Sequence, residues 1–425
     1  MARYEYSSSF LGVVLSVRVA FSERSWPYLA ASAVPWLLLP GQRSVTRLAK
    51  LASHPRSLSG YYRFLSDGKW RMALFFKCLF DLIVKTFKIT ELTLVLDDTL
   101  KPEWGRGIFG AANFFDHAAR PRPGYIWGHN WVVLAVVVQV RSAGWVALPF
   151  WVALYRPKAR CRKGEFRTRH ELAVEALKRV RSWFSGLISL LADGAYANSS
   201  LIGPAAELAM AFTGRIRSDA SLREPKPRPQ PKSKRGRKPK RGPWLEKLAV
   251  LARQWSKFTS RTVSIYGKTV TLRVREVVAY WPAVGRVVKV VITRDPKRPK
   301  RRAYLMTTDL AMTAVGVVEM FAWRWTIEQL FSVAKNQMGF DSAEVRKERS
   351  VRRHAALSMA MVTFVEVWAH VSGGHLDAKP FSAKLAAARE EAVKETVFAS
   401  GPRRKGSGRI AGVVAELFST VTRAA

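Results

Sequence analysis

Helical spacing of apolar residues dominates the first part of the chain. Between Gln42 and Ala52 apolar residues recur at helical spacing with basic residues between them, and a second helical stretch follows at 58–65 after a Ser/Pro-rich break. Residues 1–88 are therefore predicted to form a helical bundle. Two short helices around a turn are typical of a helix-turn-helix, and equally of any other small bundle.

From Leu92 the pattern changes to apolar runs that mostly lack alternation, as expected for strands buried on both faces. Strands are predicted at 92–96, 125–140, 145–155, 187–192 and 210–216, with helices at 167–184 and 196–209. Residues 142–144 join the two long strands as a hairpin turn. Three strands followed by helix, strand, helix and strand predict an α/β sheet with an antiparallel hairpin side.

A basic, proline-rich segment then interrupts the pattern. Between Arg223 and Arg241 there are ten basic residues, one acid and five prolines, a composition that predicts an extended, solvated arm. Three β-rich runs within 262–293 predict a small antiparallel sheet. A strand resumes at Tyr304, and Asp309 is expected to cap a long helix that reaches Met338.

Charge narrows the classes of function. The chain has 71 Lys+Arg and 31 Asp+Glu, for a formal net charge of +40, which favours a polyanionic partner, nucleic acid first. Two cysteines exclude a disulfide scaffold and a four-cysteine zinc site, and they suit a reducing cytosol. The apolar runs at 10–21, 29–39 and 131–140 are too short or too interrupted to span a bilayer, so a cytoplasmic protein without a membrane partner is expected.

Acidic residues are scarce, so carboxylates at the ends of buried strands are candidate functional residues. Asp97 and Asp98 directly follow the 92–96 run, and Asp193 directly follows the 187–192 run. Such a carboxylate is costly to bury unless it is paired or holds a metal. Each one alone also fits a turn or capping aspartate, but two such strands in one sheet favour a functional site.

Glu328, on the predicted long helix, is the third candidate acid. At about 100° per residue, Phe321, Arg324 and Lys335 share its stripe. An exposed Arg–Glu pair would explain part of this pattern, yet the apolar neighbours of Glu328 indicate a core-facing helix. Three carboxylates that converge suit Mg²⁺ or Mn²⁺. Two such ions can activate a water or a 3′-hydroxyl for phosphoryl transfer.

These acids and their surroundings resemble the DDE transposases of bacterial insertion sequences, in the cut-and-paste group with an RNase H-like catalytic domain. That group carries Asp-x-Thr at the end of its first strand, here Asp97-Asp98-Thr99, and a second Asp after the fourth strand, here Asp193. The Asp-x-Thr form favours Asp97 as the first ligand, with Asp98 as the alternative. The resemblance covers about residues 40–370.

The third motif of the group, Tyr-x2-Arg-x3-Glu-x6-Lys, is its most specific part. Arg324, Glu328 and Lys335 match it with the spacings intact, and Phe321 stands where the group has Tyr. Phe321 lacks the tyrosine hydroxyl that could contact a terminal phosphate, and the metal ligands are unaffected by this difference. The long interval before Glu328 is also similar, because the group inserts a β-rich subdomain there.

The resemblance implies a transposase that binds the ends of a mobile element, cuts them by metal-dependent hydrolysis and joins them to target DNA. Asp97, Asp193 and Glu328 would hold two Mg²⁺ ions per active site, with Mn²⁺ as an alternative. Arg324, Lys335 and Phe321 would lie at the terminal phosphates. A homodimer on paired ends, double-stranded DNA as partner and a place on the bacterial nucleoid in the cytoplasm complete the expectation.

Two further elements are candidates for DNA contact. Trp281, in the β-rich insertion, would stack on a base flipped out of the duplex, or would pack within its own subdomain. The arm would follow the phosphate backbone through Lys234, Arg235, Arg237 and Lys238, or would be a solvated linker.

The expected fold is therefore an α/β RNase H-like mixed sheet flanked by helices, with a β-rich insertion subdomain and an N-terminal helical bundle. The predicted regions are a helical DNA-end-binding region at 1–88, the catalytic domain at 89–217 and 303–345, the arm and insertion at 218–302, and a C-terminal helical region at 346–425. Two rivals remain: a domesticated or inactive relative that binds DNA without cutting, and a plain RNase H-like nuclease. The complete acid set disfavours the first, and the additional regions disfavour the second.

Overall fold

The computed structural model describes residues 9–52, 57–116, 121–122, 124–140, 144–226, 241–342 and 344–399. Its helices are α1 (Phe10–Leu15), α2 (Trp26–Leu38), α3 (Val45–Leu51), α4 (Leu58–Ser66), α5 (Met72–Thr86), α6 (Arg169–Trp183), α7 (Ser199–Glu207), α8 (Leu248–Leu251), α9 (Ala314–Trp323), α10 (Trp325–Met338), α11 (Glu348–Ser372) and α12 (Phe381–Ala399). Its strands are β1 (Leu92–Pro102), β2 (Ala112–Asp116), β3 (Gly124–Val140), β4 (Gly144–Tyr155), β5 (Ile188–Ala192), β6 (Met210–Arg215), β7 (Thr259–Ile265), β8 (Lys268–Trp281), β9 (Arg286–Asp295) and β10 (Arg298–Thr307).

All of these strands belong to one mixed sheet with the order β2-β3-β1-β5-β6-β10-β9-β8-β7, and β4 also pairs with β3. β1, β5 and β6 are parallel to one another, and every other pairing is antiparallel. Helices pack against this sheet. The mixed α/β architecture expected from the sequence, with an RNase H-like sheet flanked by helices, is confirmed.

The first half of the sheet, β1 and β3–β6, is buried on both faces. In β3 the eleven residues from Gly128 to Val138 are all buried, which explains why the sequence there shows an apolar run instead of alternation. Gly128 is required at the start of that run, because a Cβ there would lie 2.0 Å from the carbonyl oxygen of Lys101 on β1. Close pairing of β3 with β1 thus depends on a residue without a side chain.

The inserted strands extend the same sheet. They form the expected antiparallel unit, but β10 also pairs with β6 through Leu305↔Arg215, Met306↔Gly214 and Thr307↔Thr213. The Thr213 hydroxyl donates to the Thr307 hydroxyl at 3.0 Å across this junction. The small antiparallel sheet expected here is present, but it continues the main sheet: the edge of β6 is a template for a further strand, and β10 of the insertion occupies it.

The N-terminal helices share one continuous hydrophobic core with the sheet and α11. The Trp36 indole donates to the carbonyl oxygen of Met338 at 3.0 Å, and the Arg353 guanidinium donates to that of Leu65 at 2.8 Å. Among the described helices, α11 alone has the length and composition to cross a membrane, and 83 % of its apolar window is buried inside the protein. That burial is typical of the core helix of a globular fold.

The predicted long helix is two helices. Asp309 does not cap it: its carboxylate accepts from the backbone of Ala311 at 2.9 Å in a preceding turn, and the Thr313 hydroxyl caps α9 at the backbone of Gly316 at 3.1 Å. The break between α9 and α10 falls at Arg324. α9 packs against the inserted strands and α10 against β1 and β4, so the chain changes direction where its helices pass from one half of the sheet to the other.

Candidate active site

Asp97 and Asp98 lie inside β1, not after it, because the strand continues to Pro102. Consecutive residues of a strand point to opposite faces of the sheet. The two neighbouring carboxylates are thereby separated: one faces α10 and the other faces α6. Of the two residues that the sequence left as alternatives for the first ligand, Asp97 lies on the face of Arg324 and Glu328, and Asp98 lies on the face of Arg169.

Asp98 is held by three donors on the α6 face. Its Oδ2 accepts from the Asn130 amide at 2.9 Å and from the Arg169 guanidinium at 2.9 Å, and its Oδ1 accepts from the Tyr196 hydroxyl at 3.1 Å. These three hydrogen bonds, one of them charge-assisted, hold the Asp98 carboxylate in place. Asp98 therefore joins β1, β3, α6 and the Asp193 turn into one unit.

Asp97 faces the third motif instead. Arg324, at the break before α10, reaches Asp97 Oδ2 with Nη1 at 3.4 Å and Glu328 Oε1 with Nη2 at 2.5 Å. Its side chain is only 13 % exposed. One guanidinium thus bridges two of the three candidate carboxylates, which the chain separates by more than two hundred residues.

The environment of Asp97 penalises its negative charge. Burial is the largest cause and raises the pKa of Asp97 to about 7; the carboxylates of Asp98 and Asp193 act in the same direction. The backbone N–H of Asp98, which donates to Asp97 Oδ1 at 2.9 Å, and the Arg324 guanidinium oppose this rise. A buried carboxylate of this kind is stabilised as an anion by a cation beside it.

Asp193 reaches the same end of the sheet from β5. Ala192 pairs with Leu96 on β1, so the next residue of each strand is an aspartate, Asp193 beside Asp97. Asp193 is partly exposed and begins a single 3-10 turn, in which the backbone of Tyr196 donates to its carbonyl oxygen at 3.0 Å. The carboxyl ends of two adjacent parallel strands thus place two candidate acids side by side.

Lys335 does not meet Glu328. Its ammonium donates to the carbonyl oxygen of Leu100 on β1 at 2.6 Å. Burial lowers the pKa of Lys335, and the carboxylates of Asp341 and Asp116 oppose that shift. The lysine ties α10, which carries Glu328, to the strand that carries Asp97.

The donor set fits a hard divalent cation, although the acids are not assembled around one point. Among the described residues, no group of three or more His, Cys, Asp or Glu side chains is close enough to hold a metal ion. Three carboxylates are nevertheless brought to one edge of the sheet, and two of them already share a positive charge, that of Arg324. Oxygen ligands of this type suit Mg²⁺ and Mn²⁺.

Two predicted DNA contacts lie in the core. Phe321 is 9 % exposed and packs with the inserted strands, and the Arg215 and Arg324 guanidinium groups lie 5.8 and 5.7 Å from its ring. Trp281, at the end of β8, is 8 % exposed and belongs to the main core. Packing is the role that this burial favours for both rings, and DNA contact by either one stays a prediction.

The four arm residues predicted to contact phosphates, Lys234, Arg235, Arg237 and Lys238, lie outside the described residues. The stem from which the arm leaves is described: Arg223 pairs with Trp244, and the backbone of Leu245 donates to Leu222 at 2.8 Å. The Arg223 guanidinium lies 4.4 Å from the Trp244 ring. DNA contact by the arm therefore stays a prediction as well.

The sequence reasoning missed the partners of Asp98 and the segment that supplies one of them. Arg169 ends a stretch from Arg156 that contains seven basic residues and one acid. That composition was a usable signal, since it rivals the arm in density of positive charge. Asn130 and Tyr196 had no such signal, because the sequence around a single amide or phenol does not indicate which residue it will bond.

Comparison with known proteins identifies a family for the region that contains the candidate aspartates. No curated protein matches the chain significantly. A family model described as DDE superfamily endonuclease matches residues 21–279, more than half of the chain. The matched region contains Asp97, Asp98 and Asp193 and ends before Arg324 and Glu328.

Proposed function

The chain belongs to the DDE superfamily endonucleases, and from this premise we propose that it is a DNA transposase of an insertion sequence. Membership implies a metal-dependent nuclease with DNA as its substrate. The proposed reaction binds the ends of a mobile element, cuts them by phosphodiester hydrolysis and joins them to target DNA. The observation that carries this proposal is that Asp193 follows the strand beside Asp97, while Arg324 bridges Asp97 to Glu328.

Asp97, Asp193 and Glu328 are the proposed ligands of two Mg²⁺ ions, with Mn²⁺ as the alternative. When bound, such ions activate a water or a 3′-hydroxyl and stabilise the leaving oxygen. Asp98 is a positioning residue in this proposal, because three donors from other elements hold it on the opposite face of β1. Lys335 is a second positioning residue, through its bond to Leu100.

Arg324 has two roles in the proposal, one without DNA and one with DNA bound. Without DNA its guanidinium neutralises Asp97 and Glu328. A DNA phosphate is a strong bidentate partner for arginine, so bound DNA competes with these two carboxylates for the guanidinium. Release of Arg324 toward the phosphate leaves both acids free for divalent cations, which couples metal loading to the presence of substrate.

The remaining parts of the proposal concern assembly. The N-terminal helices and the arm bind the element's end, supported by the net charge of +40 and the resulting attraction for polyanions. A homodimer bridges two ends, because both must be cut together. The transposase acts on the bacterial chromosome in the cytoplasm. The Tyr-Arg-Glu-Lys subgroup is proposed on the motif spacing at Arg324, Glu328 and Lys335.

A DNA-binding relative that does not cut is the second candidate. One observation favours it: the described acids form no three-residue metal group. This candidate retains the positive surface and the fold while Arg324 permanently neutralises Asp97 and Glu328.

Precise excision in cells distinguishes the two. The gene with its native flanking DNA is placed on a donor plasmid, and excision is scored for the wild type, Asp193→Asn and the control Asp219→Asn. Asp219 is exposed and pairs with Arg217 at 2.9 Å. Excision by the wild type and the control but not by Asp193→Asn supports the transposase. Salt-dependent DNA binding without excision by any variant supports the DNA-binding relative.

A further inference from the structure

The connection between β4 and α6 presents a dense positive surface, here called the basic loop (Arg156–Arg169). Its only acid, Glu165, pairs with Arg156 at 3.1 Å. Lys158, Arg162 and Lys163 are exposed, and within the described part of the chain their side chains make no hydrogen bond or ion pair. With seven basic residues and one acid, the basic loop has a net positive charge whose repulsion a polyanion would reduce.

The basic loop is folded, and two of its arginines have aromatic partners. Residues 158–160 form a 3-10 turn that the backbone of Cys161 closes at 3.1 Å on the Lys158 carbonyl oxygen. The Arg160 guanidinium lies 5.3 Å from the Trp127 ring, and that of Arg156 lies 5.0 Å from the Phe109 ring. These contacts reduce the conformational entropy that binding would otherwise cost.

The basic loop begins at the end of the sheet where Asp97 and Asp193 lie. Tyr155, the last residue of β4, pairs with Asn130 on β3, and Asn130 pairs with Leu100 on β1. At its other end Arg169 donates to Asp98, the neighbour of Asp97, at 2.9 Å. The basic loop is thus attached at both ends to the elements that position the candidate acids.

We propose that the basic loop binds the phosphate backbone of double-stranded DNA beside the cleavage site. The inference rests on the proposed function and adds a binding surface to it. Its exposed groups are ammonium and guanidinium ions, which contact phosphates of any sequence. The Phe109 and Trp127 rings already have arginine partners, so the contact is made by charge rather than by base stacking.

Two charge-matched triple variants test this inference. Lys158→Gln/Arg162→Gln/Lys163→Gln removes three exposed cations from the basic loop. Lys85→Gln/Lys88→Gln/Lys178→Gln removes three exposed cations that lie before β1 and in the second half of α6. Fluorescence anisotropy of the full chain with native flanking DNA and with a shuffled duplex, over a range of salt concentrations, gives the affinity and its salt dependence.

The loop variant is expected to bind both duplexes at least about fivefold more weakly than the wild type at physiological ionic strength, with a salt slope lower by about 2–3. The control is expected to stay within about twofold. Equal losses in the two triple variants would mean bulk charge alone, and wild-type affinity in the loop variant would mean a solvated loop; both overturn the inference. A loss confined to the native duplex would indicate base recognition and overturn it too.

The same titration separates this inference from the proposed function. If the wild type binds neither duplex, the proposed function fails. If the wild type binds both and the loop variant does the same, only the basic loop is excluded as a DNA contact. Melting temperatures of the three proteins are measured alongside, and they are expected to agree because the altered side chains are exposed and make no described hydrogen bond or ion pair.

Discussion

The two halves of the sheet, here called the catalytic half (β1–β6) and the inserted half (β7–β10), differ in how their strands are buried. In the catalytic half, β3 is buried along most of its length and β1 carries acids in its middle. In the inserted half, β8 alternates between exposed and less exposed residues along most of its length. A strand with helices on both faces buries nearly all of its side chains, so a polar residue there is costly unless it is paired or functional.

The contact between the halves is as informative as their difference. α9 packs over the inserted strands around Phe321, and α10 packs over the catalytic half through Ile327 and Leu330. Arg324 stands at the break between these helices and reaches Asp97 and Glu328. The insertion therefore packs against the helix that ends just before Arg324, the residue that bridges two of the candidate acids.

The largest expected effect lies in the catalytic half, between two neighbouring aspartates. Asp97→Asn is expected to reduce cleavage of flanking DNA on the order of 1,000-fold, equivalent to about 4 kcal/mol, because it removes a proposed metal ligand. It should not lower the free energy of unfolding, since burial already penalises the charge. Gel-based nicking assays and urea denaturation measure the two quantities.

Asp98→Asn is the matched control, and the order of effects should reverse. It weakens bonds from Asn130, Arg169 and Tyr196, so unfolding is expected to require about 1–3 kcal/mol less. Cleavage should fall less than with Asp97→Asn. Complete loss of cleavage in Asp98→Asn with unchanged stability would instead identify Asp98 as the first ligand.

The next effect concerns the inserted half. Phe321→Ala is expected to lower the free energy of unfolding by about 3 kcal/mol, because it leaves a cavity under α9. Trp325→Ala, four residues on and 46 % exposed, should cost less than about 1 kcal/mol. A Phe321 variant that unfolds like the wild type yet binds DNA poorly would support the terminal-phosphate role and contradict the packing role.

A smaller effect is expected where the halves meet. Arg324→Met removes the guanidinium that neutralises Asp97 and Glu328, so Mn²⁺ affinity without DNA should rise about tenfold, or about 1.4 kcal/mol. Electron paramagnetic resonance of free Mn²⁺ provides the titration. Adding Asp97→Asn to this variant should cancel the gain. An unchanged affinity would mean that Arg324 does not compete with metal.

The smallest effect is expected at Trp281. Trp281→Phe should lower the free energy of unfolding by about 1 kcal/mol through lost packing, with affinity for flanking DNA within about twofold of the wild type. Anisotropy and urea denaturation on the same preparation test both. A selective loss of DNA affinity would restore the interpretation that this ring stacks on a flipped base.

Much of the catalytic half was predictable because strands buried on both faces appear in the sequence as continuous apolar runs. The apolar runs before Asp97 and before Asp193 placed both acids at the correct strands. Prediction failed where the deciding interaction was not local. The extension of β1 to Pro102 depends on pairing with β3, and the break at Arg324 depends on α9 and α10 covering different halves.

The sequence by itself determined the fold class, the positive charge and the three candidate acids, because strand burial, composition and motif spacing are local properties. Only the tertiary structure decided which face each aspartate of β1 takes, since that depends on what packs against the strand. It also decided that Arg324 bridges Asp97 and Glu328 and that Lys335 reaches Leu100. Contacts between residues so distant along the chain exist only after the sheet has brought them together.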